Sequence, residues 1–381
     1  MIQKKSYLIE VCLGLCIALC SGVLYGQTCD EISLEGITDP GIHEVGIITE
    51  ADGLRNGPGY SGATVYYPTD ATPPFSSIVI VPGFVSLEFQ IQEWGPFLAS
   101  HGIVTMTIGT NSLFDDPYAR RDALLDAIVS LKQENIRPAS PLLGNLDTDL
   151  VAVGGWSMGG GGAQLAAASD PSLKAVVALC PWLDPQTTAA DINHAVPVLI
   201  FSAELDAVAP HAQHADVHYE NTPETTNKLI FEVENEGHSV ANSPTGGQDY
   251  VGKIALSWLK QQMLGDSCYC PLLLDAPVVA SNYMTNISCS PITNLINEMI
   301  SESKSSFQLY PNPCLEKIQI EVQEVSSKMN YEIHTISGTV IRKGQIVSGV
   351  TDINTENLAP GIYTMNVSTD QSAERLKFIV L

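Results

Sequence analysis

Positive charge is scarce in this chain. Eighteen Lys and Arg stand against 42 Asp and Glu in 381 residues, a formal net charge of −24. A surface that acidic cannot neutralise phosphates, which excludes nucleic acid as a partner. Nearly all of the excess acid lies between residues 27 and 306. Such a surface keeps a protein soluble and monomeric and repels anions, so a neutral substrate is expected. Long apolar runs are also missing. The run Val11 to Cys20 is too short for a membrane span. Preceded by Lys4 and Lys5 and followed by small residues to Gly26, it reads as an export signal covering 1–26. No internal repeat is visible. Metal-ligand spacing and calcium-loop motifs are lacking as well, so neither a metal nor an organic cofactor is expected.

Cysteine is sparse but unevenly placed. Removing Cys12, Cys16 and Cys20 with the signal leaves Cys29, Cys180, Cys268, Cys270, Cys289 and Cys314. Export permits disulfides. One or two bridges are expected among Cys29, Cys268, Cys270 and Cys289. The favoured pattern joins Cys29 to one member of the C-x-C pair and Cys289 to the other. Cys180 ends an apolar run and reads as a buried free thiol.

The stretch that organises the chain is Asp149 to Gly162, DLVAVGGWSMGGGG. A strand-like apolar run leads into G-x-S-x-G, and a small-residue helical stretch follows. That context defines a nucleophile elbow: a sharp strand-to-helix turn with Ser157 at its tip and a helix N-terminus behind it. A serine needs a base, and the base needs a third group to orient it. In this fold pattern the order is Ser, acid, His, each just after a strand. Asp206 follows the run VPVLIF, and His238 follows KLIFEV. Glu204, Asp184 and Asp191 compete for the acid role. The oxyanion donors fall to the backbone N–H groups of Met158, next after the nucleophile, and Phe84, in the turn after the strand Ser77 to Val81. The rings of Phe84, Trp156 and Trp182, with Val208, are expected to line the groove. His211, His214 and His218 have i, i+3, i+7 spacing; a solvated surface face is expected there rather than a metal site.

Around these points strands and helices alternate. Helices are predicted around Gln92 to His101, over Ala119 to Lys132 and over Tyr250 to Met263. Strands are predicted over Ile103 to Ile108, Leu173 to Leu179, from about Pro197 or Val198 to Phe201, and over Lys228 to Val233. The pattern specifies an α/β fold with a mostly parallel sheet and helices on both faces. Asp266 to Ser306 is rich in Ser, Asn, Pro and Cys and reads as a cap plus linker. Short alternating strands from Phe307 to Leu381 predict a small β-sandwich. The expected organisation is a signal over 1–26, a catalytic domain over 27–290, a linker over 291–306 and a terminal domain over 307–381.

Several segments together carry a family resemblance: ATVYYPTD, IVPGF, GPFLASHG, TMTIGTNSLFDDP, GWSMGGGG, PWLDP, SAELDAVAP and GHSVAN. From about Gly53 to Leu264 the chain resembles the bacterial cutinases and polyester (PET) hydrolases of the α/β-hydrolase superfamily. The resemblance implies Ser157, Asp206 and His238 as a triad, Phe84 and Met158 as oxyanion donors, and Trp182 as an aromatic clamp beside the scissile ester. It implies a polyester or small-ester substrate, cutin or PET among them. Three departures stand out. Phe84 replaces the usual Tyr, Trp156 replaces the usual His, and Ala203 and Val240 occupy the places of an extra disulfide found in some PET hydrolases. The late cysteines resemble the family's C-terminal disulfide. Phe307 to Leu381, with FQLYPNP and Gly361 and Tyr363 before KFIVL, resembles the sorting domain of type IX secretion cargo. That implies the type IX machinery as a partner and a secreted or cell-surface location.

Overall fold

The computed structural model describes residues 29, 32–289, 307–322, 329–335, 340–346, 349–368 and 373–380. The expected signal segment and the whole expected linker, 291–306, lie outside the described residues. The chain divides into two compact units, meeting in sequence between Ser290 and Pro291.

The larger unit is built on one nine-stranded sheet. Its strands are β1 (Val45–Thr49), β2 (Ala63–Pro68), β3 (Phe75–Val81), β4 (Val104–Ile108), β5 (Leu146–Trp156), β6 (Ala175–Leu179), β7 (Val198–Ala203), β8 (Lys228–Val233) and β9 (Ala280–Thr285). Their spatial order is β1-β2-β4-β3-β5-β6-β7-β8-β9. Strands β4, β3, β5, β6, β7 and β8 pair in parallel, while β1, β2 and β9 are antiparallel. The inner strands β3, β4, β6, β7 and β8 are buried along their whole length, and β5 along its second half. Helices cover both faces of a parallel sheet, which is why these runs are continuously apolar instead of alternating.

The helices are α1 (Trp94–Ser100), α2 (Pro117–Glu134), α3 (Met158–Ser169), α4 (Ala215–Asn221) and α5 (Tyr250–Leu264). One core packs α1 and α5, with Trp94, Phe97, Ile254 and Trp258, against one sheet face. The other packs α2 and α3, with Leu124, Leu131, Ala163 and Ala166, against the opposite face. Local chemistry sets the helix ends. Asp116 caps α2 by accepting from the Ala119 N–H at 2.8 Å, and Pro117 opens the helix. Gly265 closes α5 in the left-handed region.

One segment departs from expectation. The stretch read as cap and linker contains a 3-10 turn, Ser267–Leu273, and the edge strand β9. Its sequence ASNYMT is polar and partly exposed, so hydrophobic periodicity does not betray it. Tertiary bonds hold it instead. Disulfides join Cys29 to Cys268 and Cys270 to Cys289, the pattern favoured from sequence. Cys180 is a buried free thiol.

The smaller unit is entirely β among its described residues. One sheet orders β10 (Phe307–Tyr310), β11 (Lys317–Val322) and β14 (Val350–Asn354). The other orders β13 (Val340–Ile346), β12 (Met329–Thr335), β15 (Gly361–Ser368) and β16 (Ala373–Val380). Ile318, Ile320, Ile333, Met365 and Phe378 form its core.

Candidate active site

Strand β5 ends at Trp156 and α3 begins at Met158, leaving Ser157 alone in the turn. Its backbone sits at φ 58° and ψ −120°, a strained conformation for a residue with a side chain. Four hydrogen bonds hold it there. The Ser157 N–H donates to the Leu179 carbonyl at 2.8 Å, and the Ser157 carbonyl accepts from Gly160, Gly161 and Trp182. The turn aims the hydroxyl at the imidazole of His238.

His238 Nε2 lies 2.8 Å from Ser157 Oγ, and His238 Nδ1 lies 2.7 Å from Asp206 Oδ2. The three side chains come from just beyond the carboxyl ends of β5, β7 and β8, with β6 between the first two. Asp206 is buried, and its other oxygen accepts from the Val208 and Ala209 N–H groups at 2.9 and 2.7 Å. Burial works against its ionised form. The hydrogen bond from His238 and those from Ala209 and Val208 outweigh that, so the carboxyl lies below its ordinary range. It is thus held as a carboxylate against the imidazole. The competing acids are engaged elsewhere. Glu204 accepts from the Asn235 N–H, Asp184 from Gln186 and Asp191 from Thr188.

The two expected oxyanion donors, Met158 and Phe84, belong to the turns that meet at Ser157. Met158 opens α3, so its N–H has no carbonyl one turn earlier to bond within the helix. Gly83 packs directly on the nucleophile: a Cβ there would lie 2.8 Å from Ser157 Cβ. The backbone of Phe84 follows immediately. The buried Arg120 of α2 buttresses this turn, donating from Nη1 to the Pro82 carbonyl at 2.8 Å and from Nε to the Asp115 carbonyl at 3.0 Å. Sequence reasoning passed over Arg120, because a charged residue on an amphipathic helix normally faces solvent.

The aromatic residues divide into two kinds. Trp182 is partly exposed and stacks on His214 with ring centroids 4.3 Å apart. Phe84 is exposed and meets Phe114 edge-on at 5.7 Å. Val208 is exposed, two residues after Asp206. Trp156, expected to line the groove, is instead only 8% exposed. Its Nε1 donates to the His238 carbonyl at 2.9 Å and its ring lies 5.2 Å from the imidazole, so it braces His238 from behind.

The expectation for the three clustered histidines needs correction. His214 and His218 are buried, and only His211 keeps substantial exposure. The stretch breaks between a 3-10 turn, His211–Gln213, and α4, so the i, i+3, i+7 spacing never forms one solvated face. His214 Nδ1 accepts from the Leu183 N–H at 2.8 Å and supports Trp182. His211 pairs with Asp216 at 2.8 Å and Glu232 at 3.3 Å. Burial lowers its basicity, but the bond to Asp216 and the nearby carboxylates raise it further than burial lowers it. No group of three or more His, Cys, Asp or Glu among the described residues is arranged to hold a metal ion.

His218 carries a consequence for acid stability. Burial pushes it down from 6.5 to about 3, and burial pushes His194 down to about 4. Both stay neutral in the folded chain where unfolded imidazoles take up protons. The contribution of these two histidines is therefore level above pH 6.5 and falls on acidification below it. The slope reaches about 1.4 kcal/mol per pH unit for each such histidine. Asp206 adds its own loss only below its ordinary 3.8. Thermal melts across this range are expected to show a shallower acid slope for His218→Phe than for the wild type.

A parallel sheet bearing a serine elbow, with acid and histidine following in that order, defines the α/β hydrolases. The PET hydrolase-like family matches residues 41–290, and the chain belongs to it. Among similar proteins is a bis(hydroxyethyl) terephthalate hydrolase of Streptomyces coelicolor. It is 37% identical over 220 residues, covering 56% of this chain and 67% of that protein. Cutinase 1 of Thermobifida cellulosilytica is 34% identical, over 58% of this chain and 80% of its own length. A cutinase of Thermobifida fusca is also 34% identical, over 58% and 69%. The chain is a carboxylic ester hydrolase. Residues 308–381 match a secretion system C-terminal sorting domain of the type IX kind, and the protein is destined for the cell surface or the medium. No helix among the described residues is long and apolar enough to cross a membrane.

Proposed function

We propose that the protein is a secreted polyester hydrolase that works through a Ser157-His238-Asp206 triad and an acyl-enzyme. The observation that carries this reading is the unbroken chain Ser157 Oγ, His238, Asp206, at 2.8 and 2.7 Å. Ser157 attacks the ester carbonyl while His238 Nε2 takes its proton. Asp206 fixes the imidazole tautomer and stabilises the imidazolium. The Met158 and Phe84 N–H groups bind the oxyanion of the tetrahedral intermediate. His238 returns the proton to the leaving alcohol, and a water, deprotonated by the same imidazole, releases the acid. Trp182 and Phe84 present rings to the ester beside the nucleophile, which suits terephthalate and other neutral, apolar acyl groups. The acidic surface suits a neutral polymer too and favours a monomer. An export signal over 1–26 and the sorting domain over 307–381 flank the catalytic domain and serve its delivery.

The test is release of soluble terephthalate esters from amorphous PET film, and of hydroxy acids from cutin, by the purified protein. Products from both are expected. Turnover confined to p-nitrophenyl butyrate would keep the mechanism and reassign the enzyme to small soluble esters.

A further inference from the structure

Five apolar side chains stand out of the surface in the segment that follows Gly83, which packs on Ser157, and in the loop bonded to it. Phe84, Val85, Leu87, Phe89 and Phe114 are 47%, 49%, 54%, 66% and 71% exposed. They occupy two loops, 84–91 and 111–114, which the Val85 N–H joins by donating to the Leu113 carbonyl at 2.8 Å. The edge contact of Phe84 with Phe114 adds a second link. The first loop is firmly built. Gln90 Oε1 accepts from the Leu87 N–H at 3.0 Å, Ser86 Oγ donates to the Phe84 carbonyl, and Ile91 is fully buried.

No packing among the described residues covers these side chains. Val85 is β-branched and sits at φ 53°, a region such residues avoid. Glycine or asparagine would fit that turn with less strain, and polar side chains at 87 and 89 would solvate better. Strain and exposed apolar surface gathered in one pair of loops point to a contact made beyond the described residues.

Charge narrows what that partner is. The only ionisable side chain in 84–91 is Glu88, and it is drawn away, accepting from Thr107 Oγ1 at 2.7 Å. The two carboxylates next after Phe114 are engaged by backbone N–H groups, Asp115 by Ser112 and Asp116 by Ala119, so the ridge itself offers a cationic partner little to pair with. The remaining surface repels anionic phases. A single acyl group held at Ser157 needs Phe84, but not Leu87 or Phe89, three and five residues further on. An extended, neutral, apolar solid meets all of them at once.

Resting on the polyester reading above, we infer that the ridge Phe84, Val85, Leu87, Phe89 and Phe114 is an adsorption surface for the face of an uncharged, insoluble polyester. It sets the enzyme down with Ser157 toward the polymer. The ridge raises the concentration of enzyme on the solid and leaves the chemistry at Ser157 untouched.

The test separates adsorption from hydrolysis. Leu87→Ser/Phe89→Ser is made in the full chain, both with Ser157 intact and in a Ser157→Ala background. Binding isotherms on amorphous PET film use the Ser157→Ala forms, so that the film is not consumed. Removing two large apolar contacts is expected to weaken adsorption about tenfold or more. Product release from film by the active form should fall with it, while kcat/KM for p-nitrophenyl butyrate stays at the wild-type value. Unchanged adsorption overturns the inference. So does an equal loss on the soluble ester, tighter retention on phosphatidylcholine vesicles than on film, or a wild-type dimer in sedimentation velocity that the double variant converts to monomer. If the double variant does not fold, Leu87→Gln alone carries the same comparison. Failure of the polyester reading looks different: strong adsorption by the Ser157→Ala form, with no product from the active one.

Discussion

Ser157→Ala is expected to lower kcat for p-nitrophenyl butyrate by about a million-fold. The loss is that large because the three groups act as one unit. Without Oγ there is no acyl-enzyme, and His238 and Asp206 are left orienting nothing. What survives comes from the Met158 and Phe84 N–H groups, which still polarise a bound ester toward attack by water. Folding should be spared. The Ser157 backbone bonds to Leu179, Gly160, Gly161 and Trp182 do not involve the side chain, and alanine meets the same strain at φ 58° as serine. Relief of the buried hydroxyl can even raise Tm slightly, a common trade at catalytic positions. Single-turnover assays with a circular dichroism melt check both halves. Hydrolysis within tenfold of wild type would remove Ser157 from the mechanism.

Gly155→Ala is expected to be nearly as damaging by a different route. A Cβ on Gly155 would lie 2.2 Å from the Gly159 carbonyl oxygen and 2.3 Å from its carbon. Both are backbone atoms of the first turn of α3, so no flexible side chain can yield. The turn cannot simply shift outward either, because a Cβ on Gly159 would already lie 2.4 Å from the Val81 carbonyl. Strand β3, strand β5 and helix α3 meet here at backbone contact. Forcing them apart displaces the Met158 N–H and the Ser157 hydroxyl together. Misplacement on the order of 1 Å costs about a hundredfold in such sites, and loss of an oxyanion donor about a hundred- to a thousandfold more. The expected result is a kcat loss of about ten-thousandfold or more, with a Tm depressed by about 10 °C or more, as overpacking at rigid backbone implies. A Tm equal to wild type with activity intact would show that the elbow tolerates a wider turn.

Much of the catalytic unit could be read along the chain. Strands β3, β7 and β8 announce themselves as short apolar runs, and α2 and α5 as periodic ones. Each is fixed by interactions among near neighbours and by the need to bury a face. The elbow is equally local, since a strand, G-x-S-x-G and a small-residue helix are contiguous. Strand β9 was hidden because a polar edge strand is held by its neighbour β8 and a disulfide, not by its own pattern. The histidines at 211, 214 and 218 misled for a related reason. Histidine spacing suggested one helical face, whereas a break at His214, between the 3-10 turn and α4, interrupts the helix, and two of the rings are buried.

The sequence by itself determined the fold class, the order of nucleophile, acid and base, and the division into a hydrolase and a sorting domain. Those properties follow from local pattern and from chain order. The tertiary structure alone decided which carboxylate faces His238, that Trp156 braces the imidazole, that His214 lies under Trp182, and that Arg120 turns inward to the Pro82 carbonyl. It also decided that Phe84 and Phe114 meet and that Leu87 and Phe89 stay exposed. These are relations between residues far apart in the chain. Their energies depend on distance and burial, which exist only once the sheet has brought its strand ends together.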